Sequence, residues 1–199
     1  MPAHYFHGKI ERLEIASGHD GFLRGGPDPV LLVGVYITDG SSLRILGRSV
    51  HRFAARAPFP SNASADQSGL AVGVLEVSTS FFYVGLAIAI EEDGGKDVQR
   101  LYGALEHHAK LTVWKADASE IEPLPLSSVA RTPPWYAPTP VELVVDGAPA
   151  AESCRSDKFI GAVCWAMPPR PDAPVSLYRL PFLAANRKND WTAVLAVGH

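Results

Sequence analysis

The stretch 30-VLLVGVYITDGSSLRILGRSVHRF-53 decides the fold class. Val30 to Thr38 is an unbroken, β-branched apolar run of strand length, which reads as a central strand covered on both faces. Asp39-Gly40 then turns the chain, and Leu43 to Phe53 supplies a partner strand. Asp-Gly between two apolar runs is a strong short-range hairpin signal.

Outward from this hairpin the same punctuation repeats. His4 to Ile15 alternates in part, with Ile10, Leu13 and Ile15 apolar among Lys9, Glu11 and Glu14. A loop rich in glycine and proline, 18-GHDGFLRGGPDP-29, separates it from the hairpin. Ala57 to Ser68 reads as another loop, and Leu70–Val77 and Phe81–Ile90 as two strands. After 91-EEDGG-95 the period changes: Val98, Leu101, Tyr102 and Leu105 fall at i, i+3, i+4 and i+7, which predicts a helix over about 96–108. Asp97 stands in its first turn and His107 and His108 in its last, as the helix dipole prefers. Leu111–Trp114, Val141–Val145, Phe159–Met167, Val175–Leu183 and Trp191–Val197 read as further strands. Residues 121–140 contain six prolines, which predicts a long extended surface loop. The expectation is a mainly β fold: an antiparallel β-sandwich of about eight to ten strands with one amphipathic helix in a connection.

Composition agrees with one well-cored domain over 1–199. The chain has 199 residues, 47% hydrophobic and 20% charged, with a formal net charge of -3. That is neither the polar, highly charged profile of disorder nor the basic balance of a nucleic-acid binder. The segment from Leu70 to Ile90 is mostly apolar, but Glu76 and Ser78-Thr79-Ser80 cut it into strand-length pieces, so no transmembrane segment is expected. The N-terminus lacks the layout of a secretory signal, and two cysteines, Cys154 and Cys164, make no disulfide framework; both point to the cytoplasm.

No hydrolase elbow, phosphate loop or zinc spacing is present. His107 and His108 project about 100° apart on a helix and cannot grip one metal. His4 and His7, three apart in a strand, point to opposite faces. His51, among Arg48, Arg52 and Arg56, reads as a surface histidine whose pKa is lowered by positive neighbours. Cys164 reads as a core residue, and Cys154, near Arg155 and Lys158, as the better candidate for a reactive thiol. The acidic residues are more suggestive. Asp20 and Asp28 share one loop, Glu152 and Asp157 another, and Asn189-Asp190 belongs to a third. Calcium takes six to eight oxygens from such loops, although Asp and Asn also serve turns for backbone reasons alone.

Two short stretches carry a resemblance. The segment 26-GPDPVLLVGVYI resembles the C2-domain pattern in which an Asp-Pro-aromatic turn opens a long apolar strand, with Val30 in the place of the aromatic, and 156-SDKFIGAV resembles the acidic turn followed by Ile-Gly before a late C2 strand. The resemblance implies Asp20 and Asp28 as first-loop calcium ligands and Asp157 as a late-loop ligand; Asp190 joins them as an acidic loop residue. Phe22 and Leu23, beside Asp20, would then touch a membrane interface, and Trp135-Tyr136 in the proline-rich segment would dock on a protein partner.

Three readings follow. One is a non-enzymatic C2-like binding module that contacts a membrane surface or a protein partner through its end loops, with or without calcium. Another is an assembly protein that forms homo-oligomers through apolar strands and the Trp135-Tyr136 segment. The last is an enzyme built on Cys154 or His51 with an acidic partner, which no residue spacing supports.

Overall fold

The computed structural model describes residues 7–16, 28–39, 41–54, 61–64, 69–71, 81–108, 111–115, 124–131, 137–168, 175–183 and 190–198. In chain order the strands are β1 (His7–Ile15), β2 (Pro29–Thr38), β3 (Leu43–Arg52), β4 (Ser61–Ser64), β5 (Gly69–Ala71), β6 (Phe82–Glu91), β7 (Leu111–Lys115), β8 (Leu124–Pro125), β9 (Thr139–Val145), β10 (Ala148–Pro149), β11 (Lys158–Met167), β12 (Ser176–Leu183) and β13 (Asp190–Gly198). Helix α1 (Lys96–Glu106) lies between β6 and β7, and the short α2 (Ala150–Ser153) precedes β11. The larger sheet runs β3-β2-β6-β11-β9-β7-β8, with β10 also on β9; the smaller runs β12-β13-β1-β4, with β5 also on β1. All pairings are antiparallel, and the larger sheet curls into a half-barrel in a sandwich-like arrangement.

Why β2 and β6 read as unbroken apolar runs is now visible, since both faces of each are buried. Leu31, Val33 and Val35 of β2 and Ala87 and Ala89 of β6 face the smaller sheet, where Ile10, Leu13, Trp191, Leu195 and Phe182 meet them. Their alternate residues, among them Val30, Leu32, Leu86 and Ile88, face Val98, Leu101 and Leu105 of α1 on the other side. Each such fully buried aliphatic side chain contributes about 1.5–3 kcal/mol by leaving water. The broken alternation of β1 has a simple cause: its register shifts between Ile10 and Arg12, so Ile10, Leu13 and Ile15 all reach the core. Gly85 is required by its cross-strand partner, because the Trp165 indole lies 2.0 Å from where a Cβ at Gly85 would stand.

The central hairpin forms as expected. Asp39 Oδ1 accepts from the amides of Ser41 and Ser42 and so fixes the turn. Residues 61–64, inside the span 57–68 read as a loop, form β4 on β1. Other details also differ from the sequence reading. Helix α1 ends at Glu106 rather than including both histidines, because His107 already leaves helical geometry at φ -100, ψ 57. The proline-rich span is not wholly an extended surface loop: its proline-free piece Leu126–Arg131 forms a 3-10 helix that buries Leu126 and Val129. Pro140 sits within β9 opposite Val163 of β11, one residue before Val141, where the described pairing with β7 ends. The short helix α2 was not anticipated. Of the strand expected over Leu70–Val77, residues 72–77 lie outside the described residues.

Candidate functional site

Three chain segments meet at one end of the larger sheet: the start of β2, the end of β3, and the turn from β6 into α1. A fourth, the turn 154–157 before β11, holds them in place. Gly95 opens the helix from a left-handed conformation at φ 74, which a residue with a side chain adopts only under strain. A glycine brings no capping side chain, so the helix start is capped by another strand's residue. Asp157 Oδ1 accepts from the amides of Asp93, Gly94 and Gly95 at 3.0, 2.7 and 2.7 Å. Its Oδ2 accepts from the amides of Asp97 and Val98 at 2.8 and 3.1 Å. Five N–H groups thus converge on one buried carboxylate.

The exchange is reciprocal. Asp97 Oδ2 accepts from the amides of Arg155, Ser156 and Asp157 at 2.9, 2.8 and 3.2 Å and from the Ser156 hydroxyl at 3.1 Å. Asp97 Oδ1 takes Arg100 Nε at 3.2 Å. Burial pushes the Asp97 carboxyl up, but the amides of Ser156, Asp157 and Arg155 outweigh it and hold it at about 2. Asp157 is lowered by the same balance, burial opposed by the amides of Gly94, Gly95, Val98 and Asp97.

Against this latch lies a cleft of about 400 Å³ lined by Asp28, Pro29, Val30, Arg52, Phe53 and residues 92–95. Two backbone bonds frame it, Glu92 N to Asp28 O and Phe53 N to Pro29 O, both at 3.0 Å. Arg52 grips Glu92 through two bonds of 2.8 and 2.9 Å, an exposed fork-to-fork pair across the opening. Asp28 and Asp93 also line the cleft and make no ion pair among the described residues. The wall is therefore acidic and polar, with Phe53 buried behind it.

The expected site residues separate. Asp28 reaches the cleft, and Asp157 holds the cleft wall from behind, so the structure brings both to segment 92–95. Asp190 begins β13 in the smaller sheet, paired with Leu183. Asp20, Phe22, Leu23, Trp135 and Tyr136 lie outside the described residues. Among the described residues no group of three or more His, Cys, Asp and Glu side chains is placed to hold a metal ion. Nor is any helix among them long and apolar enough to cross a membrane. Arg52, Glu92, Asp93 and Asp97 were not expected at a site; the sequence offered only the Asp-Gly-Gly turn before a helix.

Two further expectations are corrected. His51 is not a surface residue. It shares a face with Leu31, its cross-strand partner, and points into the core between the sheets, 1% exposed. Its Nε2 lies 2.7 Å from Ser49 Oγ, its Nδ1 has no partner among the described residues, and burial rather than neighbouring charge lowers its pKa. Cys154 is not an activated thiol. Burial and the charge of Asp97 push it to about 11 against the weaker pull of Arg100, whose Nη2 lies 3.4 Å from its sulfur. Cys164 is buried and also raised by burial.

Comparison with protein-family models, with curated proteins and with solved structures found no match.

Proposed function

We propose that the chain is a non-enzymatic binding module, C2-like in design and acting in the cytoplasm, that uses the end of its larger sheet to hold a cationic group of a protein partner. The observation that carries this is the cleft: about 400 Å³, lined by Asp28 and Asp93, which make no ion pair among the described residues, with a wall pinned by hydrogen bonds to Asp157. Preorganised walls reduce what binding must spend on ordering. The excess of carboxylate over guanidinium favours a lysine or arginine side chain, or calcium, over an anionic lipid surface.

The test is calorimetric titration with a hexa-arginine peptide and, separately, with calcium chloride. Asp28→Asn with Asp93→Asn is expected to weaken peptide binding about tenfold or more, since each rim charge acts at close range. Arg52→Ala, which frees Glu92, is expected to strengthen it. Displacement of the peptide by calcium would mark a shared site. A wild-type protein that binds neither probe sinks the proposal.

A second reading has one observation behind it. Val175 and Leu177, at the start of the terminal strand β12, are 68% and 67% exposed. They are the apolar surface that self-association would cover. Pro181 stands in the same strand, and a proline on an edge strand removes a donor that a second strand would need. Light scattering decides: a dimer dissociated by Leu177→Asp favours assembly, and a monomer removes it.

A further inference from the structure

We infer that Asp157, which lines no part of the cleft, is its positioning residue. The inference rests on reading the cleft as a binding surface, and its geometry stands independently of what binds. The cleft wall is the segment 92–95, four residues between the last ladder pair of β6 and the first turn of α1. Its amides have two destinations. Glu92 N goes to Asp28 O, and Asp93, Gly94 and Gly95 all go to Asp157 Oδ1. One oxygen atom therefore sets the path of three consecutive wall residues, and its twin oxygen sets the start of α1 behind them.

Asp157 is itself held from the far side. Its own amide donates to Asp97 Oδ2, as do those of Arg155 and Ser156, so the wall and the turn before β11 are locked as one body. Asp93, Gly94 and Gly95 thus follow the turn before β11, while Glu92 stays tied to Asp28 and Arg52 on the other side of the cleft. Gly94 is close enough to this lock that a Cβ there would lie 3.6 Å from Ser156 Cβ and 3.9 Å from Asp157 Oδ1. A change at Asp157 should reach the cleft through the wall without altering a single lining side chain.

Asp157→Asn tests this in the full-length protein, with Leu101→Ala as a comparison. Leu101 is fully buried on the face of α1 that packs against the larger sheet, so its truncation weakens the helix packing without touching the carboxylate bonds. Backbone amide exchange at Asp93, Gly94 and Gly95 is expected to quicken about tenfold or more in Asp157→Asn and to stay within about twofold in Leu101→Ala. Hexa-arginine affinity is expected to fall in the first variant and not in the second. Should Asp157→Asn fail to fold, Asp157→Glu, which keeps the charge but moves it by one methylene, carries the same expectation. Equal exchange changes in both variants, or none in either, overturn the inference. If the wild type binds no peptide, the proposed function falls while the exchange rates still decide the role of Asp157.

Discussion

Asp97 and Asp157 face each other across the same latch, yet the amide isostere is expected to affect them very differently. Asparagine offers one acceptor oxygen and one donor group. At Asp97 the chain's donors all converge on Oδ2, while Oδ1 meets only the partly exposed Arg100 guanidinium. An asparagine there can place its oxygen on the three amides and turn its NH₂ toward Arg100. The loss is one partly buried ion pair and some charge assistance, about 1 kcal/mol. At Asp157 both oxygens are surrounded by N–H groups, three on one side and two on the other. Whichever way an asparagine turns, its NH₂ opposes backbone donors. The cheaper orientation leaves the buried amide of Val98 without its acceptor, leaves that of Asp97 only the longer bond to Ser156 Oγ at 3.3 Å, and weakens the three bonds from Asp93, Gly94 and Gly95. With a penalty of about 1–3 kcal/mol for each buried donor left unmatched, the expected cost is about 3–4 kcal/mol.

Urea unfolding followed by the fluorescence of the buried Trp165 and Trp191 measures both variants on one scale. The difference between them, about 2–3 kcal/mol, matters more than either value. A cost for Asp97→Asn equal to or above that of Asp157→Asn would refute the reasoning, since it would mean that donor count does not decide the effect.

Other outcomes follow from the same geometry. Asp97 has a folded-state pKa of about 2 against 3.8 for the free group, so its stabilisation is complete above about pH 4 and is lost as the pH falls through 2; a melting temperature that stays flat from pH 4 to pH 2 would contradict this. Gly85→Ala is expected to cost about 3 kcal/mol because its Cβ meets the Trp165 indole, and to cost under about 1 kcal/mol in a Trp165→Leu background. A double-mutant cycle that shows no coupling would remove that explanation. Cys154, at about 11, is expected to react with iodoacetamide at pH 8 roughly a hundredfold slower than a free cysteine, and at the free rate in urea; equal rates in both conditions would count against a buried thiol.

What could be read from the chain and what could not divide along a physical line. Val30–Thr38 and the turn after it were legible because the strand and its turn are specified by neighbours in sequence: burial on both faces needs an apolar run, and Asp39 takes the amides of Ser41 and Ser42. Helix α1 was legible from its apolar face for the same reason. The position of His51 was within reach, since Phe53 is apolar and two residues away, so strand alternation alone places His51 on the core side and Arg52 outside. The three nearby arginines drew attention to charge when face parity was the stronger signal. The latch was a different matter. Asp97 carries the ordinary mark of an acidic residue in a first helical turn, and Asp157 that of an acidic turn before a strand. Each mark is satisfied locally in most proteins. Here each carboxylate serves backbone donors about sixty positions away, and that pairing exists only because β11 runs beside β6. The same holds for the cleft, whose lining comes from three separate segments that no local pattern joins. A single sequence specifies such a site through the order of its strands, so the cleft becomes readable only once the β2-β6-β11 order is known.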